Sequence, residues 1–77
     1  MIEIYGKDNC PYCDMAKNLA ERKNLEYTYY KLGTDFDQLD LFTKFPTART
    51  YPQIKAHGQS IGGYQEFEEW VDGLRRL

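Results

Sequence analysis

Cys10-Pro11-Tyr12-Cys13 contains both cysteines of this 77-residue chain, and an amphipathic run follows it. That run predicts a helix beginning at Pro11, because proline has the φ that the first helical position needs and its missing N–H is not required there. Cys10 is then the N-cap, whose sulfur can accept hydrogen bonds from the free N–H groups of the first turn. Those N–H groups and the helix dipole favour a thiolate, and Lys7 adds a nearby positive charge. We therefore predict that Cys10 is a nucleophile.

Cys13 lies three residues after Cys10, on the same face of the predicted helix. Cβ atoms at this spacing are about 5–6 Å apart, whereas a disulfide prefers roughly 3.8 Å, so a bridge can form but is reducible. A structural disulfide across so short a loop would add little stability. A structural zinc site needs four ligands, and besides the two cysteines the chain offers one histidine, His57. Redox chemistry is therefore the favoured interpretation, and we expect no bound metal.

The composition disfavours several other classes of function. A formal net charge of −2 and a pI near 5.3 argue against a nucleic-acid-binding surface. No apolar run approaches the about 20 residues of a membrane span, and the N-terminus lacks a basic-then-apolar signal. A single adjacent cysteine pair indicates a reducing cytoplasm. Because no linker or repeat divides the chain, we expect one domain over residues 1–77, a small aromatic-rich core and a monomer.

The first part of the chain predicts a βαβ unit. Residues 1–5 alternate in polarity, and residues 25–32 are rich in tyrosine, so both segments are expected to be strands. The helix between them should bury Ala16, Leu19 and Ala20. A crossover of this length implies that the two strands are parallel and that their connection is right-handed.

A second helix is predicted next, from about Asp35 to Phe45. Its expected features are a cap at Thr34 or Asp35, a capping box closed by Gln38, one buried face formed by Phe36, Leu39 and Phe42, and an end at Pro46.

The last part of the chain predicts a hairpin and a third helix. Strands over residues 53–56 and 59–61 flank His57-Gly58, and Gly62-Gly63 opens the helix. The core-facing residues of that helix are expected to be Phe67, Trp70, Val71 and Leu74. The elements together predict an α/β fold, with a four-stranded mixed sheet covered on both faces by three helices.

Over nearly its whole length the chain resembles the glutaredoxins, small enzymes of the thioredoxin fold. The matching segments are Lys7, Cys10-Pro11-Tyr12-Cys13, Arg49-Thr50-Tyr51-Pro52-Gln53 and Ile61-Gly62-Gly63-Tyr64. Their joint order and spacing are more specific than a Cys-x-x-Cys pair alone. The resemblance implies a thioredoxin-like fold with sheet order 2-1-3-4. It also implies catalysis by Cys10 and Cys13, with Cys10 attacking disulfides that contain glutathione.

The resemblance further implies a glutathione-binding set: Lys7, Tyr12, Arg49, Thr50, Tyr51, Pro52, Gly63, Tyr64, Gln65 and Glu66. In this set Pro52 follows a cis peptide bond, and the backbone of Tyr51 pairs with the cysteine part of glutathione like an added strand. Lys7 and Arg49 meet the glycine carboxylate. The helix start at Gly63 meets the γ-glutamyl carboxylate, because a helix N-terminus binds anions.

The sequence departs from the family pattern at two of these positions. Tyr51 replaces the usual valine before the proline, and its ring could crowd the dithiol, stack on a substrate or point away. Glu66 replaces the usual aspartate, so its reach toward the substrate ammonium is longer. Two further acids, Asp8 and Asp14, flank the dithiol and are expected to oppose thiolate formation.

The function implied by the resemblance is glutathione-dependent reduction of mixed disulfides and protein disulfides, with glutathione as co-substrate and no tightly bound cofactor. Ribonucleotide reductase is a known partner of the family, although nothing in this chain identifies it. One alternative is a redoxin reduced by thioredoxin reductase, which Lys7 and Gly63-Tyr64 disfavour. Another is an iron–sulfur cluster carrier that binds the cluster through Cys10 and glutathione, which Pro11 and Cys13 disfavour.

Overall fold

The computed structural model describes residues 1–46, 48 and 50–74. Its elements in chain order are β1 (Ile2–Gly6), α1 (Pro11–Arg22), β2 (Tyr27–Lys31), α2 (Gln38–Lys44), β3 (Gln53–Ala56), β4 (Gln59–Gly62) and α3 (Tyr64–Leu74). Their type and order are those that the sequence predicts. None of the helices in the described part of the chain is long and apolar enough to span a membrane.

The four strands form one mixed sheet in the order β2-β1-β3-β4. β1 is parallel to β2 and antiparallel to β3, so that Ile4 lies opposite Ile54. The hairpin between β3 and β4 turns at His57 and Gly58, whose φ values of 53° and 82° are those of a two-residue hairpin turn. The predicted order 2-1-3-4 and the parallel first pair are therefore confirmed.

Alternation along β1 divides the core into two clusters on opposite faces of the sheet. Ile2 and Ile4 belong to the first cluster, which α1 and α3 cover, whereas Tyr5 belongs to the second, which α2 covers. The first cluster is Ile2, Ile4, Ala16, Leu19, Ala20, Ile54, Ala56, Phe67 and Val71. The second is Tyr5, Phe36, Leu41, Phe45 and Ala48. The predicted core residues of α1 are all buried, as are Phe67 and Val71 of α3, and Trp70 is partly buried. The prediction that Leu74 faces the core is wrong, since this residue at the end of α3 is 42% exposed.

The start predicted for the second helix is wrong. α2 begins at Gln38, and its N-cap is Asp37, whose side chain accepts from the N–H of Asp40 at 2.8 Å. The Asp40 carboxylate in turn accepts from the N–H of Asp37 at 3.2 Å, which completes a capping box. Asp35 cannot serve as the cap because its carboxylate accepts from the backbone N–H of Lys31 at 2.8 Å.

This later start also changes which face of α2 is buried. Leu39 is 76% exposed and Phe42 is 43% exposed, whereas Leu41 is buried. Phe36 is buried, but it precedes the helix. The prediction that Phe36, Leu39 and Phe42 share a buried helical face is therefore wrong, since the three residues do not lie on one helix.

Candidate active site

Cys10 is the N-cap of α1. Its backbone is extended, with φ −126° and ψ 97°, and Pro11 is the first helical residue. The N–H of Cys13 donates to Cys10 Sγ at 3.2 Å. The predicted capping of this helix by sulfur is confirmed. The same N–H would stabilise the negative charge of the Cys10 thiolate in the reduced protein.

The two cysteines form a disulfide, and their Cα atoms are 5.2 Å apart. They differ in accessibility, because Cys10 keeps 8% of its surface exposed and Cys13 keeps none. Of the two cysteines, only Cys10 therefore has surface that a substrate disulfide can reach. The geometry favours the division of roles in which Cys10 attacks and Cys13 acts only within the protein.

Gly6 leaves room for the hydroxyl of Tyr29 beside Cys13. A Cβ on Gly6 would overlap that hydroxyl and would lie 3.1 Å from Cys13 Cβ. Burial raises the pKa of Tyr29, and the nearby carboxylates of Asp14 and Asp8 raise it further. Gly6 thus lies close both to Cys13 and to a neutral phenol.

The Tyr51–Pro52 peptide bond is cis, as the family resemblance implies. Pro52 is fully buried, and the loop before it is braced by Gln53, whose Nε2 donates to the carbonyl of Thr50 at 2.8 Å. Sequence reasoning assigned no role to Gln53. The available signal was a polar residue at the start of a strand whose neighbours are apolar.

A groove of about 330 Å³ lies between this loop and the start of α3. It is lined by Tyr12, Thr50, Tyr51, Pro52, Gly63, Tyr64, Gln65 and Glu66. These are all of the candidate substrate-binding residues except Lys7 and Arg49. Lys7 lies beside the groove, with its Nζ 5.2 Å from the centroid of the Tyr51 ring. Arg49 lies outside the described residues.

Two aromatic rings form one wall of the groove. The ring centroids of Tyr12 and Tyr64 are 6.0 Å apart, and Tyr12 is 59% exposed. The hydroxyl of Tyr64 donates to the carboxylate of Glu68 at 3.2 Å. Burial raises the pKa of Tyr64, and the Glu68 carboxylate raises it further, so this ring stays neutral and hydrogen-bonded.

The start of α3 is capped by the chain's own carboxylate. The N–H of Gly63 donates to Glu66 Oε1 at 2.8 Å. A Cβ on Gly63 would lie 3.3 Å from that oxygen and 3.5 Å from the carbonyl oxygen of Pro52, so the helix start, the carboxylate and the loop meet there. Glu66 is therefore folded back onto the helix rather than extended away from it. Its position three residues after Gly63 was the signal for this contact, because the third helical residue often reaches back to the cap.

Of the two acids that flank the dithiol in sequence, Asp8 has a charged partner in the structure. Asp8 pairs with Lys31, with 3.2 Å between Oδ2 and Nζ, so part of its charge is offset. The pair is at the surface, where such contacts are weak.

Within the described residues, no three His, Cys, Asp or Glu side chains are grouped closely enough to hold a metal ion.

A dithiol pair at the N-terminus of a helix, together with a cis-proline loop on a thioredoxin-like sheet, defines a thiol–disulfide oxidoreductase. The family model that matches residues 2–61 is that of glutaredoxin. The chain therefore belongs to the glutaredoxin family.

Individual relatives agree with this assignment. Glutaredoxin 1 of Escherichia coli (strain K12) is 39% identical over 75 residues, covering 88% of each chain. The solved structure of reduced Escherichia coli glutaredoxin superposes with a TM-score of 0.75 and 34% identity, covering 99% of this chain and 98% of that one. The buckwheat glutaredoxin–glutathione complex superposes with a TM-score of 0.78 and 27% identity, covering 94% of this chain and 69% of that one.

Proposed function

We propose that this protein reduces glutathione mixed disulfides and protein disulfides, with glutathione as its electron donor. The observation that carries the proposal is the groove lined by Tyr12, the neighbour of the two cysteines in the Cys-Pro-Tyr-Cys motif. One side of it is the Thr50–Pro52 loop, and the other is the start of α3. Its volume of about 330 Å³ lies at the lower end of the roughly 300–1,000 Å³ typical of small-molecule sites, which suits a tripeptide.

Each group of glutathione has a candidate partner around this groove. The backbone of Tyr51 pairs with the cysteine residue of glutathione. Lys7 and Arg49 receive its glycine carboxylate. The N–H groups of Tyr64 and Gln65, at the start of α3, receive the γ-glutamyl carboxylate, while the Glu66 carboxylate, which accepts from the Gly63 N–H, attracts the ammonium. A solved relative whose structure is a complex with glutathione supports this assignment.

The reaction on a glutathione mixed disulfide has two exchanges. The Cys10 thiolate attacks the glutathione sulfur, forming a Cys10–glutathione disulfide and releasing the substrate as a thiolate. A second glutathione thiolate then attacks the bound glutathione sulfur. Glutathione disulfide leaves, and Cys10 is restored as a thiolate.

A protein disulfide is reduced through the second cysteine. Cys10 attacks one substrate sulfur and releases the other as a thiolate. Cys13 then attacks Cys10, which releases the first substrate sulfur and forms the Cys10–Cys13 disulfide seen in the structure. Two glutathione molecules return this disulfide to two thiols.

The physiological setting is proposed on the same basis. Both cysteines of the chain belong to the redox pair, which suits a reducing cytoplasm. The protein substrates are disulfide-containing or glutathionylated proteins, with ribonucleotide reductase as one expected partner from the family. The enzyme is proposed to act as a monomer.

The test supplies each reducing system separately and follows NADPH consumption. The oxidised protein is expected to turn over with millimolar glutathione and glutathione reductase, and poorly with thioredoxin reductase. Efficient turnover with thioredoxin reductase and none with glutathione would overturn the proposal in favour of a redoxin. An absorbance spectrum of the freshly purified protein tests the third candidate, because an iron–sulfur cluster is coloured and the proposed enzyme is not.

A further inference from the structure

The Tyr51 ring makes contacts that a valine at this position could not make. It packs against the second core cluster, and it also forms part of the groove wall. Lys7 Nζ lies 5.2 Å from the ring centroid. This separation is within the roughly 6 Å over which an ammonium is attracted to an aromatic face.

The Tyr51 ring is held in place by its surroundings, whereas the Lys7 side chain is flexible. The loop around Tyr51 is braced by the hydrogen bond from Gln53 to Thr50, and the ring is held by its core contacts. Lys7 is exposed, and an unsupported lysine side chain samples many rotamers, which it must give up on binding a ligand. Contact with the ring restricts those rotamers before a ligand arrives.

The hydroxyl of Tyr51 does not contribute to this contact. Tyr51 Oη is buried and has no hydrogen-bond partner among the residues that the structure describes. Burial raises the pKa of Tyr51, so the ring stays neutral. The face of the ring is therefore the part that matters, and phenylalanine would supply it equally well.

Lys7 is also left available to an anion from outside the chain. Asp8, the carboxylate next to it in sequence, is paired with Lys31 at 3.2 Å. In the described part of the chain, no ion pair is formed by Lys7. The ammonium is thus held beside the groove without being neutralised by a neighbouring acid.

We propose that Tyr51 is a positioning residue, whose ring holds the Lys7 ammonium beside the groove so that it binds the carboxylate of the thiol substrate. This inference rests on the proposed function, because the ligand of Lys7 is taken to be glutathione. It adds to that function a side-chain role for a residue whose expected contribution comes only from its backbone.

The experiment measures kcat and KM for glutathione in four proteins: wild type, Tyr51→Leu, Lys7→Ala and the double variant. Tyr51→Leu is expected to raise KM by about two- to fivefold with little change in kcat, since a contact of this kind is lost at an exposed site. In the Lys7→Ala background the same substitution should have no further effect on KM. An equal rise in KM in both backgrounds would overturn the proposal, because the effect would then come from damage to the loop.

Two additional variants separate the ring from other effects. Tyr51→Phe keeps the ring face, so its KM for glutathione is expected to stay close to that of the wild type; a KM as high as that of Tyr51→Leu would overturn the role assigned to the ring. Lys17→Ala is the matched charge control, because Lys17 Nζ also lies 5.2 Å from a tyrosine ring, that of Tyr29, but Tyr29, unlike Tyr51, does not line the groove. A rise in KM with Lys17→Ala equal to that with Lys7→Ala would indicate a general charge effect and would overturn the inference.

A measurement without glutathione distinguishes failure of this inference from failure of the proposed function. The Cε protons of Lys7 should show an upfield ring-current shift in the NMR spectrum, which Tyr51→Phe keeps and Tyr51→Leu abolishes. No shift in the wild type would overturn the inference whatever the substrate. If the wild type shows the upfield shift but glutathione cannot reduce it, the proposed function is overturned, and with it the ligand assigned to Lys7.

Discussion

Gly6→Ala tests how tightly Gly6 packs against Tyr29 and Cys13. A Cβ at this position would overlap the Tyr29 hydroxyl, lie 2.7 Å from Tyr29 Cζ and lie 3.1 Å from Cys13 Cβ. Overpacking of this kind costs about 1–3 kcal/mol. Replacing glycine also lowers the conformational entropy of the unfolded chain, which stabilises the folded protein by about 0.4–1 kcal/mol. The overlap is the larger effect, so we expect a net loss of roughly 1–2 kcal/mol.

Urea unfolding of the reduced proteins measures this loss directly. For a domain of this size each kcal/mol corresponds to about 4–8 °C in Tm, so thermal unfolding is a second readout. The matched control is Gly73→Ala, because a Cβ on Gly73 meets no atom within 4 Å and the residue lies in α3. That substitution should stabilise the protein by up to about 1 kcal/mol.

A double variant locates the source of the strain. In a Tyr29→Phe background the nearest overlapping atom is gone, so Gly6→Ala should cost less than in the wild type. If Gly6→Ala proved as stable as the wild type, the Tyr29 hydroxyl would not occupy the space beside Gly6, and the described packing of Tyr29 against β1 would be wrong.

Three further predictions concern the dithiol, the core and the start of α3. Cys10→Ser should abolish thiol transfer, whereas Cys13→Ser should keep activity on small glutathione mixed disulfides and lose much of it on protein disulfides; equal inactivation on the small substrate would contradict the assigned roles. Burial, and after it the Glu3 carboxylate, raises the pKa of Tyr5 to about 12. Because Tyr5 ionises near pH 10 in the unfolded chain but stays neutral in the folded protein, the free energy of unfolding falls as pH rises from about 10 to 12. Tyr5→Phe should remove that part of the alkaline loss, which unfolding free energies at several pH values would reveal. Glu66→Ala removes the acceptor of the Gly63 N–H and should lower stability by about 1 kcal/mol, with Glu66→Gln keeping part of it; no loss in urea unfolding would show that the cap does not form in solution.

The sequence was sufficient where a local pattern has one solution. Pro11 after Cys10 favours a helix that starts there, and the spacing of Ala16, Leu19 and Ala20 leaves one face to bury. It was insufficient for α2, where several polar residues before the helix are plausible caps. The choice of Asp37 depends on a contact outside the helix, since Asp35 is already bonded to the backbone of Lys31.

The candidate site divides in the same way. The capped cysteine follows from adjacent residues, so it was predictable. The contact between Lys7 and the ring of Tyr51 joins segments that are distant in sequence, and none of the three orientations considered for that ring included it. The self-cap by Glu66 was predictable in principle from its spacing to Gly63, but the resemblance directed attention to a substrate ammonium instead.

The difference between the two cysteines follows from where α1 begins. An N-cap residue has a side chain at the open end of the helix, close to free N–H groups, whereas a residue in the first turn can face the sheet. Cys10 is the N-cap residue and keeps some exposed surface, whereas Cys13 lies in the first turn and keeps none. Gly6 packs close to Cys13, and the Cys13 sulfur, which has no exposed surface, is bonded to Cys10. Shifting the helix start would expose Cys13 and remove the N–H groups from Cys10, which is why proline at the first helical position matters for the chemistry as well as for the fold.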